Sequence, residues 1–268
     1  MSTLALALAD GATVARRNLI RTKRLPDVLV WTTMSPIMFV LLFAYIFGGS
    51  IDIPGTNYRE FLIAGIFAQN IIFGASFTGV GLADDMQKGI IDRFRSLPMA
   101  RSAVLLGRTA SDVVNNAIAL TVMSITGLVV GWRVRTSIPE AIGGFLLLLL
   151  IAYAISWIMA LVGLKVRSVE VVNNASFMFV FPMTFIANTF VPSQNLPTVL
   201  RTVAEWNPVS ALAQAARESF GNAVPYTSTS DAWSLNHPVA YVLLWVAAIL
   251  AVFVPLAVRE YERTKEAR

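Results

Sequence analysis

Six windows of this chain contain no Asp, Glu, Lys or Arg and are each long enough to cross a bilayer: 28–47, 61–83, 113–132, 141–164, 171–192 and 238–258. A spanning helix needs about 20 apolar residues. Every charged residue of the 268-residue chain lies between or outside these windows. In hydrocarbon each backbone N–H and C=O must be satisfied by the protein itself, which leaves only helices or a closed barrel. The windows are continuously apolar rather than alternating, and that excludes a barrel. Only 14% of residues are charged and 56% are hydrophobic. Soluble domains carry about a quarter charged residues, and a soluble fold of this composition would expose large apolar patches. The sequence therefore predicts an all-α polytopic membrane protein: one domain over residues 1–268 with six transmembrane helices.

The basic residues orient it. With the N-terminus in the cytoplasm, 16 of the 21 Lys and Arg fall inside and five outside (Arg59, Arg133, Arg135, Arg201 and Arg217). Short loops carry their positive charge on the cytoplasmic side, so both termini are expected in the cytoplasm of a cell bounded by this plasma membrane. The same asymmetry accounts for the net charge of +5 without a nucleic-acid site. Residues 1–24 place Leu4, Leu8, Ala12, Ala15 and Leu19 on one face and Arg17, Arg21 and Arg24 opposite. That pattern predicts an interfacial helix resting on membrane lipids of an anionic leaflet. The apolar residues precede the basic cluster, the reverse of a signal peptide. Pro36, Pro182 and Pro255 lie within spans, where each can kink its helix.

Two segments between spans are not ordinary loops. The charged island 84–98, DDMQKGIIDRFRSLP, reads as a short amphipathic helix with Met86, Ile90, Phe94 and Leu97 on one face, closed by Pro98. Its apolar face requires either lipid or a soluble partner. The external stretch 193–236 begins with helical spacing broken at Asn207-Pro208. It predicts two short helices that dip toward the membrane or lie along it, too short and too charged to span.

Most active-site chemistry is excluded. The chain has no cysteine and a single histidine, His237, so thiol catalysis and multi-histidine metal sites are ruled out. It lacks a Gly-Lys pair and hence a phosphate loop. No acid, base or ion carrier sits within a predicted span, as a self-powered pump would require. Any uphill transport must draw energy from another chain. Two mixed stripes stand out: Asn70, Phe73 and Phe77 in the second span, and Asn174, Phe177, Phe181, Phe185 and Asn188 in the fifth. Asn amides facing lipid are costly, so the stripes serve either helix packing or the wall of a pathway; tight helix pairs favour small residues over a row of Phe.

Residues 84–112 resemble the cytoplasmic loop of type-2 ATP-binding-cassette (ABC) permeases, through Asp85, Gly89, Arg93, Leu97, Pro98, Ser102, Gly107 and Arg108. Residues 181–220 are similar to that family's fifth span and external element, through Leu196, Pro197, Asn207, Pro208 and Arg217. The order of elements matches along almost the whole chain, and within the family the likeness is to daunorubicin-resistance exporter permeases of actinobacteria. One departure is the Asp84-Asp85 pair where the family pattern has Glu; either carboxylate suits a helix start.

The resemblance implies that separate ABC ATPase subunits bind ATP and Mg, that this chain holds no cofactor or metal and is not itself an enzyme, and that two permease subunits, alike or different, form the pathway. It makes 84–98 the coupling helix, with Asp84, Asp85, Met86, Lys88, Gly89, Arg93, Phe94, Arg95, Leu97 and Pro98 at the ATPase. It makes 193–236 a re-entrant external element built on Pro197, Trp206, Asn207, Pro208 and Arg217. The uncharged Phe- and Met-rich spans suit a hydrophobic or amphiphilic cargo: a drug, lipid or polyketide. A permease of an ATP-driven importer, and a membrane scaffold or enzyme, are the competing readings. The Glu-Ala-Ala start of importer loops is missing, and the spans hold no paired carboxylates or His cluster.

Overall fold

The computed structural model describes residues 3–24, 26–46, 57–96, 99–100, 102–166, 168–223 and 231–263. Every regular element among them is helical. In order these are α1 (Thr3–Arg24), α2 (Pro26–Ile46), α3 (Tyr58–Gln87), α4 (Ile90–Arg95), α5 (Ala103–Val130), α6 (Ile138–Lys165), α7 (Val169–Phe185), α8 (Thr198–Glu205), α9 (Pro208–Phe220), α10 (Trp233–Asn236) and α11 (Pro238–Arg263).

The bundle is organised around α3. Phe61, Ile63, Phe67, Ile71 and Ala75 on it are all inaccessible, because α2, α5, α6, α7 and α9 pack around it. Lipid is as apolar as Leu, so burial alone cannot hold such helices together; close backbone approach and hydrogen bonds must. At the α3–α6 crossing Gly79 meets Gly163. A Cβ on Gly163 would sit 2.4 Å from the Gly79 carbonyl oxygen, which only glycine tolerates.

Four helices, α3, α5, α6 and α11, are long and apolar enough to cross a membrane. The other two expected spans fall short of that standard among the described residues. In α2 the apolar stretch is Met34–Ile46. α7 has 17 residues, not the 22 of window 171–192. The reason is local: Pro182 removes a helical N–H, one further bond runs from Ile186 N–H to the Pro182 carbonyl, and the chain then leaves the helix. Helix α5 differs in the other direction. It begins ten residues before the expected window, at Ala103, and carries Arg108 and Asp112 inside it. The pair is tolerated because the two bond each other.

The external stretch divides at Asn207-Pro208 as expected, into α8 and α9. Pro208 supplies the first helical position of α9, and the Asn207 side chain accepts the Val209 N–H. But α9 does not lie along a surface. It is packed among α3, α6 and α11, with Leu212, Ala213, Arg217 and Phe220 inaccessible.

Helix α1 is present, with its faces used differently than expected. Gly11, Val14 and Asn18 are buried against α5. Arg17 and Arg21 turn toward the protein rather than toward lipid: the Arg17 guanidinium lies 4.9 Å from the Phe94 ring centre and Arg21 bonds Asp84 and Asp85.

Candidate functional site

The island 84–98 is not one helix. Asp84, Asp85 and Met86 form the last turn of α3. Lys88 ends it, and Gly89 reverses the chain in the left-handed region, φ +65°, before α4 begins. A side chain at 89 would be strained there, which is the physical reason for glycine at this point. The six-residue α4 is anchored through Ile91, 1% exposed, to a small core of Leu82, Val104, Trp157, Leu164 and Tyr261. Met86 and Phe94 pack half-buried on the same core. Phe94 is thus partly spent inside its own chain. Lys88 and Arg93 are exposed. The Arg95 side chain, Leu97 and Pro98 lie outside the described residues.

The two aspartates tie this corner to α1. Arg21 donates from Nη2 to Asp84 at 2.9 Å and from Nη1 to Asp85 at 3.1 Å, and Lys88 meets Asp84 at 2.7 Å. The hydrogen bond to Asp84, with the charge of both carboxylates, outweighs burial and holds the Arg21 guanidinium above its ordinary pKa. The sequence reading put both aspartates at the ATPase surface. Asp85 is instead 4% exposed and spent on an internal bond. One turn deeper, Thr78 Oγ1 and Arg108 Nε both donate to Asp112 Oδ2, at 2.6 and 3.2 Å.

At the other end of α3 lies the residue that sequence reasoning most undervalued. Arg217, counted as an exposed external charge, is wholly inaccessible. Its Nε donates to the Phe61 carbonyl at 3.0 Å, its Nη2 to the Asn188 and Thr189 carbonyls at 2.8 and 3.1 Å, and its Nη1 to Asn188 Oδ1 at 3.3 Å. The guanidinium also covers the Phe61 ring at 3.5 Å. It closes the carbonyls released where α7 stops, as a cation favours a helix C-terminus. Asn188 therefore leaves the proposed Asn/Phe stripe. Asn207 Nδ2 donates to the Met183 carbonyl at 2.7 Å, a second tie between α9 and the end of α7. Beside them Glu60 takes two bonds from Arg135 and one from Asn222. Pro197 caps α8. Trp206, half-exposed, forms edge-on contacts with Tyr241, as does Trp233, an aromatic group suited to a membrane interface.

The stripes are partly brought together. Phe73 on α3 and Phe177 on α7 lie with ring centres 5.7 Å apart. Asn70 is half-buried and Asn174 exposed, while Phe77, Phe177, Phe181 and Phe185 are exposed by 41–63%. The structure adds rings the periodicity could not supply. Phe181 stacks on Phe185 at 4.1 Å, Phe185 meets Phe190 at 5.1 Å, and Phe190 meets Phe43 of α2 at 4.5 Å. One continuous aromatic row joins α7, the segment after it and α2.

This is an apolar helical bundle with four described helices long enough to cross a membrane, a glycine turn at one end of its central helix and an arginine-clamped pair, α8 and α9, at the other, the architecture of a polytopic membrane protein. The sequence model of the ABC-2 type transporter family matches residues 11–220, and the chain belongs to that family. It is 32% identical to the daunorubicin resistance ABC transporter permease protein DrrB1 of Streptomyces coeruleorubidus, over 98% of this chain and 90% of that protein. It is 24% identical to the probable doxorubicin resistance ABC transporter permease protein DrrC of Mycobacterium tuberculosis, over 94% and 88%. Similarity extends to the putative transport permease ycf38 of Cyanophora paradoxa, 22% identical over 76% and 71%.

Proposed function

We propose that this chain is the membrane subunit of an ATP-driven exporter that moves a hydrophobic or amphiphilic compound, of the size and character of an anthracycline, out of the cytoplasm or inner leaflet. Two copies, or this chain and a related one, form the pathway in the plasma membrane, with six spans each and both termini in the cytoplasm. Partner ABC ATPases bind ATP and Mg and dock at Lys88–Phe94. The observation that carries the reading is the run of α3: one unbroken helix from the Arg217 clamp to the Gly89 turn. A displacement of α4 acts on Gly89 and on the Arg21 pairs, and is passed along α3 to the closed external element. Such a motion needs a rigid lever and a discrete end-contact that can break.

The exposed Phe77, Phe177, Phe181 and Phe185 supply an apolar wall, and Asn70 and Asn174 supply amides for a cargo's polar groups. Relatives named for drug resistance over nearly the full chain favour export over import. The test uses inside-out vesicles containing this chain and its cognate ABC ATPase. ATP-dependent accumulation of daunorubicin, lost in Phe181→Ala with assembly retained, is the expected result. Transport that proceeds only in right-side-out vesicles, and only with an external capture protein, would overturn it.

A further inference from the structure

Between α1, the end of α3 and the start of α5 lies a polar cleft of about 160 Å³, lined by Asn18, Arg21, Gly81, Asp84, Arg108 and Asp112, with Ser111 and Asn115 beside them. It is separate from the Phe-lined face and from the α4 surface. Its volume is several times the roughly 30 Å³ that one water occupies. Its lining charges balance: Arg21 and Arg108 against Asp84 and Asp112. Neither a lone anion nor a lone cation is favoured by such a site.

The hydrogen-bonding capacity is not used up. Asn18 is 6% exposed, and its Nδ2 donates to Ser111 Oγ at 3.3 Å, yet its buried Oδ1 meets no donor among the described residues. Leaving such an acceptor dry costs free energy. Arg108 spends Nε on Asp112 and Nη2 on the Phe77 carbonyl, and Nη1 has no partner among the described residues. Asp112 is already engaged, by Thr78 and Arg108 on Oδ2 and by the Asn115 side chain, and contributes its charge to the cleft rather than an open acceptor. The guanidinium lies flat on α3 because residue 81 is glycine: a Cβ there would be 2.0 Å from Arg108 Nη2. The cleft thus offers the unspent N–H groups of Arg108 Nη1 beside one unspent buried acceptor, Asn18 Oδ1.

We infer that this cleft binds a phosphate–amine zwitterion, the phosphate on Arg108 Nη1 and the ammonium donating to Asn18 Oδ1 in the field of the Asp84 and Asp112 carboxylates. The cleft lies where α3 and α5 change from apolar to charged, under the amphipathic α1, which is headgroup depth. A phosphatidylethanolamine headgroup and free phosphoethanolamine share this chemistry; a choline headgroup has the phosphate but no N–H to donate. The inference rests on the membrane reading and not on the identity of the cargo.

The test is lipid titration of the purified full-length chain in detergent, followed by native mass spectrometry and by melting temperature, with no transport measured. Phosphatidylethanolamine should bind roughly tenfold tighter than phosphatidylcholine or phosphatidylglycerol, the worth of one charge-assisted hydrogen bond. Asn18→Leu should abolish that preference while keeping its own melting transition. Arg108→Lys, which keeps the charge but loses the fork, should weaken it. Competition by millimolar phosphoethanolamine would assign the site to the soluble zwitterion; its failure beside retained lipid preference would assign it to the lipid. Equal binding of the three lipids, or an unchanged preference in Asn18→Leu, would mean a hydrated cleft with adventitious lipid only and would overturn the inference.

Discussion

Replacing Arg217 by Ala is the sharpest perturbation of this fold. The substitution deletes at least four hydrogen bonds and leaves the carbonyls of Asn188 and Thr189 without this donor in an inaccessible site, while the Phe61 carbonyl keeps its bond within α3. An orphaned buried acceptor costs about 1–3 kcal/mol. Two of them would cost about 2–6 kcal/mol if the site stayed dry, but water entering the vacated volume recovers part. The expected loss is about 4 kcal/mol, in line with removal of one member of a buried charged cluster. At about 2–4 °C per kcal/mol for a chain of this size, the melting temperature should fall by about 10 °C. Arg217→Lys keeps the charge but cannot span three separated carbonyls with one ammonium, so about half the loss should remain. The assay is thermal unfolding of the purified chain in mild detergent, followed by tryptophan fluorescence. Trp132, packed against Phe67 and Phe220, and Trp206, directly before the Asn207 cap of α9, report on the affected end. A melting temperature for Arg217→Ala within experimental error of wild type would refute the claim that this cation ties α9 to α3 and to the segment after α7.

Three further outcomes follow from the geometry. Gly163→Val should abolish folded yield on size-exclusion chromatography, because its Cβ would collide with the Gly79 backbone, whereas Gly143→Val, where a Cβ meets nothing, should behave as wild type. Arg21→Glu should cost about 2 kcal/mol or more in thermal stability, since it strips the buried Asp85 of its cation as well as the partly exposed Asp84, and should lower cargo-stimulated ATPase activity of the assembled transporter; adding Asp84→Arg should restore that activity, and failure to restore it would remove the ion pair from the coupling path. Single cysteines at Ser96 and Thr198, both exposed in a chain without native cysteine, should react oppositely with an impermeant thiol reagent on intact cells, position 198 from outside and 96 only after permeabilisation.

Much of the fold was legible because hydrocarbon imposes a one-dimensional rule. A run of about 20 uncharged residues either spans or fails to fold, so windows 61–83, 141–164 and 238–258 reappear within α3, α6 and α11. The Asn207-Pro208 break was legible for a local reason: an Asx cap followed by a fixed φ starts a helix regardless of what surrounds it. The same local logic failed at Gly89. The shared face of Met86, Ile90, Phe94 and Leu97 argued for a continuous helix, and the Asp84–Lys88 pair four apart adds a few tenths of a kcal/mol to it, but that gain is smaller than the benefit of folding Ile91 onto the core of Leu82 and Trp157.

What only the tertiary structure decided is where each charge goes. The sequence reading put Arg217 on the external side, Arg21 on lipid and Asp85 at the ATPase, and gave Asp112 no role, because a single sequence carries no sign of a distant partner. In the folded chain each finds one across 29 to 156 residues or on a neighbouring turn: Arg217 on Phe61 and Asn188, Arg21 on Asp85, and Asp112 on Thr78 and Arg108. The apolar periods therefore determine that this chain spans a membrane as helices. The burial of a few ions against backbone carbonyls and one another, which depends on how α9 and α1 return to the bundle, determines which ends of those helices are locked and which are left to move.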